Sequence, residues 1–231
     1  MTVGFRCPPL AWGPPLSLPT RSTIIGNGGL LAIAARDAYN FATGDFSITA
    51  RFKTGQAGTL VSCKTTEGGS PAYAGWLLVL KNDGSLKLAT DNGYGFSEVD
   101  SVATPALNGQ WHSVAAVRRS AGMTIYLDGT ALAATSRGSL PSPLNVSSLQ
   151  RVLIGNTDQQ HEQFRQFAGS IDHVSLWNRA LADAEIKAMA SNPVIGPHAA
   201  NLVGYWPLNG SFNDNSPIGN TAMPSGAVSW G

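Results

Sequence analysis

The stretch FAGSIDHVSLWNRALADAEI, residues 167–186, contains the pattern that decides the fold. Residues 171–177 carry the apolar pattern of a strand. After them, apolar residues recur every three or four positions from Leu181 to Met189, and Asp183 favours the first turn of a helix. This strand–helix segment (residues 167–186) therefore predicts a strand followed by a helix of about two to three turns, which Pro193 ends.

Short strand patterns separated by turns occupy most of the chain on either side of this segment. In residues 46–53, FSITARFK, apolar and polar residues alternate as in a half-buried strand. Asn82-Asp83-Gly84 and Asp128-Gly129 are typical hairpin turns. No strand–helix–strand alternation occurs, so the sequence predicts one all-β domain of about a dozen strands, a sandwich or jelly roll. Further strands are expected near residues 29–35, 202–208 and 226–230.

Five segments together resemble the motifs of the laminin G-like and pentraxin group, whose members are concanavalin A-like jelly rolls. The strand–helix segment matches that group in its Gly, Ile-Asp, Val, aromatic and Asn-Arg-Ala-Leu positions. The resemblance implies a jelly-roll β-sandwich of two antiparallel sheets with one short helix, over residues 46 to about 225. The other four segments are FSITARFK (46–53), GQWHSV (109–114), IYLDG (125–129) and LVGYWPLN (202–209) with NDNSP (213–217).

Composition and charge exclude several partners. The net charge is +1 and charged residues make up 13% of the chain, which predicts neither nucleic-acid binding nor attraction to an anionic membrane. No apolar run is long enough for a transmembrane helix, so membrane insertion is not expected. The first 18 residues do not form a secretory signal. We nevertheless expect an extracellular location, or one on the surface of a virion or other assembly.

The chain divides into an N-terminal arm, residues 1–22, and a jelly-roll domain, residues 23–231. Five prolines within the first 19 residues disfavour both helix and sheet pairing there. Trp12 and neighbouring leucines are apolar enough to dock on the domain or on a neighbouring subunit. The two cysteines, Cys7 and Cys63, leave two alternatives: a single disulfide, or a buried thiol at Cys63.

The residue patterns of common enzymes on this fold are absent from the sequence. Glycoside hydrolases need two carboxylates in a fixed geometry, and the four glutamates show no such spacing. Nucleophile and phosphate-binding motifs are also missing, and the four histidines are scattered. The sequence therefore predicts a protein that is not an enzyme.

A calcium site is the first candidate binding site. The loop GNTDQQHEQ, residues 155–163, concentrates the side-chain oxygens that Ca²⁺ prefers. Its place after the strand end VLIG resembles that of the calcium loop of pentraxins, and the resemblance implies calcium here. The loop has only two carboxylates, so a solvated polar loop is the alternative. The candidate metal ligands are Asn156, Asp158, Gln160 and Glu162.

A sugar site is the second candidate. Sugars are held by exposed aromatic rings together with amides and carboxylates that bond to hydroxyl groups. Tyr94 lies in the Gly-rich loop DNGYGF, residues 91–96, beside Asp91 and Asn92, and Trp76 lies close to Tyr73 across Gly75. The candidate ligand-binding residues are therefore Tyr94, Asp91, Asn92 and Trp76. The alternative for Tyr94 is an aromatic side chain that covers the sheet edge.

Two functions follow from these patterns. The first is a non-enzymatic, lectin-like recognition module that binds glycans or glycoconjugates on a cell or polymer surface, with calcium as the candidate cofactor. The second is a structural or assembly component of a virion, tail or fibre. In that case the arm would contact protein neighbours, with a homo-oligomer as one outcome. The two functions are compatible with each other.

Overall fold

The computed structural model describes residues 21–64, 73–138, 144–148, 150–158 and 166–231. In these ranges the chain forms two eight-stranded antiparallel sheets and one α-helix, which confirms the predicted jelly-roll sandwich. The elements are β1 (Thr23–Ile25), β2 (Leu30–Ile33), β3 (Phe46–Lys53), β4 (Gly58–Lys64), β5 (Gly75–Leu80), β6 (Leu86–Asp91), β7 (Phe96–Ser101), β8 (Trp111–Arg119), β9 (Gly122–Leu127), β10 (Thr130–Ala131), β11 (Ala134–Gly138), β12 (Val152–Ile154), β13 (Gly169–Trp177), α1 (Asp183–Ser191), β14 (Leu202–Trp206), β15 (Met223–Ser225) and β16 (Val228–Trp230).

The strands are shared between two sheets whose order follows from their hydrogen-bonded pairs. Sheet A runs β10-β9-β8-β3-β13-β1-β16, and β14 also pairs with β13. Sheet B runs β11-β7-β6-β5-β4-β12-β2-β15. Because β6 and β7 form a hairpin next to the edge strand β11, their turn lies at one end of sheet B near its edge.

The core lies between the two sheets and is built by alternation along each strand. In β3, Phe46, Ile48 and Phe52 are fully buried against the other sheet, as the alternation predicts. The opposite face of β3 carries Ser47 and Thr49, which are also buried because helix α1 and its flanking chain cover this part of sheet A.

Helix α1 confirms the predicted strand–helix segment, since it begins at Asp183 and ends before Pro193. Trp177, at the end of β13, packs under it in a second apolar cluster with Leu181 and Ile186. At the turn between strand and helix, the Glu185 carboxylate accepts two bonds of 2.7 Å from Arg179. These bonds lower the pKa of Glu185 to about 2.

The expected hairpins and terminal strands are confirmed. Gly84 and Gly129 have φ angles of +79° and +78°, which the two predicted turns require. The strands expected near residues 29–35, 202–208 and 226–230 are β2, β14 and β16. The described ranges hold sixteen strands rather than about a dozen, because six were not identified from the sequence: β1, β4, β7, β10, β11 and β15.

Residues 1–20 of the predicted arm, residues 1–22, lie outside the described residues. Ser22 belongs to the folded domain, since its backbone exchanges two 3.0 Å hydrogen bonds with Gly231. Cys63 is a free, fully buried thiol, while Cys7 lies outside the described residues. None of the helices in the described ranges has the length and apolar character that crossing a membrane requires.

Candidate ligand-binding site

The turn between β6 and β7 presents the most exposed aromatic side chain of the described chain. This aromatic turn (residues 91–96) is shaped by its own polar side chains. Asp91 Oδ1 accepts a hydrogen bond of 2.7 Å from the Gly93 amide, and Asn92 Oδ1 accepts hydrogen bonds of 3.0 Å from the amides of Tyr94 and Gly95. The turn holds the Tyr94 side chain in solvent, where it is 88% exposed.

Two more aromatic side chains reach the surface at the same end of sheet B. Phe96 is 40% exposed and pairs with Asp91 in register, while Tyr73 is 37% exposed and lies two residues before Gly75. Gly75 is itself the register partner of Asp91, so these aromatic residues belong to one corner of the sheet. An exposed aromatic surface of this kind can stack on the apolar face of a sugar ring.

Trp76 does not belong to this surface, and its prediction as a ligand-binding residue is wrong. It is fully buried and packs with Phe41 and Phe46 in the core between the sheets. Its indole nitrogen donates 3.4 Å to the Tyr39 carbonyl. A side chain with both faces inside the core cannot stack on a sugar.

Asp91 is already engaged on both carboxylate oxygens. Oδ1 bonds to the turn, and Oδ2 lies 3.6 Å from Lys64 Nζ, across the strand that contains Gly75. Lys64 is 6% exposed, and its burial lowers the pKa of the ammonium group. Gly75, which lies between the two in register, has no side chain, and a Cβ there would lie 1.9 Å from the Cys63 carbonyl oxygen, so the close approach of β5 to β4 requires glycine. Asp91 and Asn92 therefore support the turn rather than face outward as free ligands.

An open groove of about 310 Å³ adjoins the aromatic turn. It lies between β7, the edge strand β11 and the turn that joins β8 to β9. Its volume is within the range of pockets that hold small ligands. Ser97, the residue after Phe96, lines it; because successive side chains of a strand point to opposite faces, the groove opens on the face of β7 opposite Phe96. The lining residues are Ser97, Ala121, Gly122, Met123, Ser136, Arg137 and Gly138.

The predicted calcium loop is only partly described. Gln160 and Glu162 lie outside the described residues. Asp158 forms a two-bond ion pair with Arg151, at 2.7 and 3.1 Å, and Asn156 Oδ1 accepts 2.8 Å from the Thr157 amide. The described ranges contain no group of three or more His, Cys, Asp or Glu placed to hold a metal. In this arrangement the described donors do not fit Ca²⁺, because an ion at Asp158 would have to displace a guanidinium group.

The polar cluster at residues 213–216, which follows β14, supports the fold. The Asp214 carboxylate accepts three backbone amide bonds of 2.8 to 2.9 Å, from Tyr205, Ser216 and Asn220. It is 9% exposed and fixes the chain against β14. The Asp214 carboxylate is therefore occupied by the backbone amides of this turn and stabilises it.

Sequence reasoning identified Tyr94 but omitted Phe96 and the groove from the site. The available signal was the alternation along residues 96–101, which indicates a strand. Its outer face then carries Phe96, Glu98 and Asp100. The groove had no such signal, because its walls come from separate strands that only the folded sheets bring together.

Comparison with known proteins places the chain in a family. The model of the concanavalin A-like lectin/glucanases superfamily matches residues 26–187, so the chain belongs to this superfamily. A search of curated proteins gives no match. The resemblance read from the sequence motifs is thereby confirmed.

Solved structures share the fold at low sequence identity. The heptameric SAP-like pentraxin of Limulus polyphemus has a TM-score of 0.61 and 16% identity, over 94% of this chain and 96% of that one. The CBM40 domain of Ruminococcus gnavus IT-sialidase, solved with α2,3-sialyllactose, has a TM-score of 0.56 and 18% identity, over 72% and 95%. Domains LG4-5 of the mouse laminin α1 chain have a TM-score of 0.52 and 17% identity, over 71% of this chain and 44% of that one.

Proposed function

We propose that this chain is a glycan-binding module without catalytic activity, and that the aromatic turn and the neighbouring face of sheet B that carries Phe96 form its binding site. The observation that carries the proposal is Tyr94, whose ring is 88% exposed on a turn fixed by three side-chain to backbone hydrogen bonds. A tyrosine side chain has only two dihedral angles to fix, so it loses little conformational entropy when a sugar stacks on its ring. Membership of a superfamily with carbohydrate-binding relatives supports the same function.

The edge strand β11 supplies a polar neighbour of the aromatic turn. Register places Arg137 opposite Glu98, on the face of sheet B that carries Phe96, whereas Ser97 and Ser136 line the groove from the other face. A sugar stacked on Tyr94 could direct hydroxyl groups toward Arg137. The aromatic ring would contribute most of the affinity, and the Arg137 guanidinium would help to select among sugars.

Binding to a glycan array tests the proposal. The wild type is expected to give a signal on a defined set of sugars. Tyr94→Ala is expected to lower that affinity at least about tenfold, equivalent to about 1.4 kcal/mol. Tyr94→Phe keeps the ring and should retain most of the binding. Met223→Ala, which removes a 64% exposed side chain from β15, is the matched control and should bind as the wild type does.

The calcium prediction is tested on the same array in millimolar calcium and in a chelator. A signal lost with the chelator would support a metal at the 156–163 loop, and a persisting signal would mean that the sugar is bound without it. Silence on a broad array would overturn the proposal. The assembly function would then be examined through the native mass of the chain with and without residues 1–20.

A further inference from the structure

Four Asn-Gly steps occur in the chain, at residues 27–28, 92–93, 108–109 and 209–210. At such a step the backbone nitrogen of the glycine reaches the side-chain carbonyl carbon of the asparagine easily, because glycine has no Cβ to hinder the approach. The attack converts the asparagine side chain to a carboxylate, and asparagine is one of the heat-labile residues for this reason. Whether a step reacts in the folded protein depends on what holds its glycine nitrogen.

In three of the four steps a hydrogen bond holds the glycine nitrogen. To react, the nitrogen must lose its proton and turn toward the asparagine side chain, so the bond has to break first. Breaking it requires local opening of the chain, which slows the reaction. The three bonds run from Gly28 N to Gln166 Oε1 (3.0 Å), from Gly93 N to Asp91 Oδ1 (2.7 Å) and from Gly109 N to Thr54 O (3.0 Å).

The fourth step, Asn209-Gly210, has no such bond. In the part of the chain that the structure describes, neither the Gly210 amide nor the Asn209 side chain has a hydrogen-bond partner. Gly210 is exposed, so its amide is open to water and to base. A Cβ placed on Gly210 would meet one described atom within 4 Å, Arg21 Cδ at 3.8 Å, so the space beside this glycine is open.

The chain on either side of this step is fixed. Leu208 is fully buried, and its carbonyl accepts a hydrogen bond of 3.4 Å from the Thr23 hydroxyl. On the other side, Phe212 stacks on Trp230, with the ring centroids 4.6 Å apart. The step at residues 209–210 is therefore a short exposed link between two anchored residues.

We infer that Asn209 is a site of spontaneous deamidation in the folded protein, whereas the other three Asn-Gly steps are protected. The Gly210 nitrogen gives its proton to hydroxide or to a buffer base and forms a bond to Asn209 Cγ. The bond from Cγ to Nδ2 breaks, and the amide nitrogen takes a proton from water and leaves as ammonia. The product of this first step is a succinimide ring.

Water then opens the ring, and the Gly210 nitrogen regains a proton. Opening at Cγ leaves an aspartate at position 209, and opening at the backbone carbonyl carbon leaves an isoaspartate, in which the chain runs through Cβ. Either product carries a new negative charge. The isoaspartate also adds one backbone carbon between the anchored residues Leu208 and Phe212, so we expect the aged protein to melt at a lower temperature.

Peptide mapping by mass spectrometry tests the inference. The folded full chain is kept in mildly alkaline buffer for days, and samples are digested at acidic pH, where the reaction is slow. Conversion at position 209 is expected to be at least about tenfold faster than at positions 27, 92 and 108, which corresponds to a difference of about 1.4 kcal/mol in the barrier. Asn209→Gln should remove the fast conversion, because glutamine would have to form a larger ring. Asn27→Gln is the matched control and should leave the fast conversion unchanged.

Two further measurements test the stated cause. In guanidinium chloride all four glycine amides are freed, so the four rates of conversion should become similar. In the folded protein, Gln166→Ala removes the acceptor of the Gly28 amide, and conversion at Asn27 is expected to rise at least about fivefold. Gln166→Glu keeps an acceptor oxygen at this position and should leave Asn27 protected.

The outcomes leave the inference either supported or refuted. Conversion at any of the other three positions as fast as at position 209 in the folded protein would overturn it. A rate difference that persists in guanidinium chloride would overturn the stated cause. If Gln166→Ala does not fold, the folded and unfolded wild type still decide. Glycan binding enters none of these measurements, because the bond to Asp91 protects Asn92 in the aromatic turn, so their failure would leave the proposed function standing.

Discussion

The strand–helix segment and the aromatic turn use their side chains in opposite ways. In the former, Trp177 is 3% exposed and its indole donates 2.7 Å to Ser175, while Ser47 of the neighbouring strand bonds to the chain on both sides of Ala180. In the aromatic turn, the polar side chains bond to the backbone and the ring of Tyr94 stays in solvent. The first region builds the fold, and the second presents a surface.

This contrast shows where function is to be sought on a widely used fold. The motif that identifies the superfamily consists of residues with structural partners, so its presence reports stability. The candidate binding residues lie in a turn without a family motif, where exposure of an aromatic ring has no evident benefit for folding. Four predictions test whether the two regions divide in this way.

The largest effect is expected from Trp177→Ala. This change removes a buried aromatic side chain from the cluster beneath helix α1 and leaves a cavity. The free energy of unfolding is expected to fall by about 3 to 5 kcal/mol, measured by urea denaturation. A decrease in the free energy of unfolding below about 1 kcal/mol would mean that packing on Trp177 does not hold helix α1 against the sheet.

The next effect concerns Asp172 and His173, adjacent residues of β13 that are 5% and 4% exposed. Burial raises the pKa of Asp172 to about 7, an effect that nearby Arg51 partly opposes. Burial also lowers the pKa of His173 to about 4, and Arg51 lowers it further. Between these pH values the folded state keeps a proton on Asp172 that the unfolded state releases, and lacks a proton on His173 that the unfolded state holds up to its ordinary pKa.

The two linkages have opposite signs and largely cancel in the wild type. Asp172→Asn removes the Asp172 contribution, so the unfolding free energy should rise with pH, relative to that of the wild type, between about pH 4 and 7. His173→Asn removes the His173 contribution, so the unfolding free energy should fall with pH, relative to that of the wild type, between about pH 4 and 6.5. Each slope is at most about 1.4 kcal/mol per pH unit, for one proton. Denaturation at several pH values checks both, and slopes identical to that of the wild type would contradict the assignment.

A smaller effect is expected from Ser47→Ala. Ser47 Oγ accepts a hydrogen bond of 2.9 Å from the Leu181 amide and donates one of 2.9 Å to the Arg179 carbonyl. It therefore connects β3 to the turn before helix α1. Its loss leaves a buried amide unpaired, at a cost of about 1 to 3 kcal/mol. Ser113→Ala, on the neighbouring strand β8, is the control: no bond of its hydroxyl enters this turn, and stability should change by less than about 0.5 kcal/mol.

The smallest effect on stability is expected where the effect on binding is largest. Tyr94→Ala should change the unfolding free energy by less than about 0.5 kcal/mol, because the ring is 88% exposed. Thermal unfolding of the variant beside the wild type measures this. A loss above about 1 kcal/mol would show that the ring covers the sheet edge, the alternative reading of Tyr94, and the contrast between the two regions would then disappear.

The prediction for Trp76 was wrong for a physical reason. Residues 76–80, WLLVL, form an unbroken apolar run, and such a run does not reveal which alternate residues face the core. In the structure Trp76, Leu78 and Leu80 face the other sheet, and Leu77 and Val79 form a separate cluster on the opposite face. By contrast, the clean alternation in β3 identified its core face correctly from the sequence, but the strand is not half-buried as predicted, since Ser47 and Thr49 on its polar face are buried too.

The sequence by itself determined the sandwich, the hairpin turns and the strand–helix segment. Each of these follows from neighbours within a few residues, whose spacing sets backbone geometry and local burial. Only the tertiary structure decided that Arg137 meets Glu98 and Asp100, and that Lys64 reaches Asp91 across Gly75. Those contacts depend on strand register between segments distant in the chain, and register is fixed when the two sheets pack together.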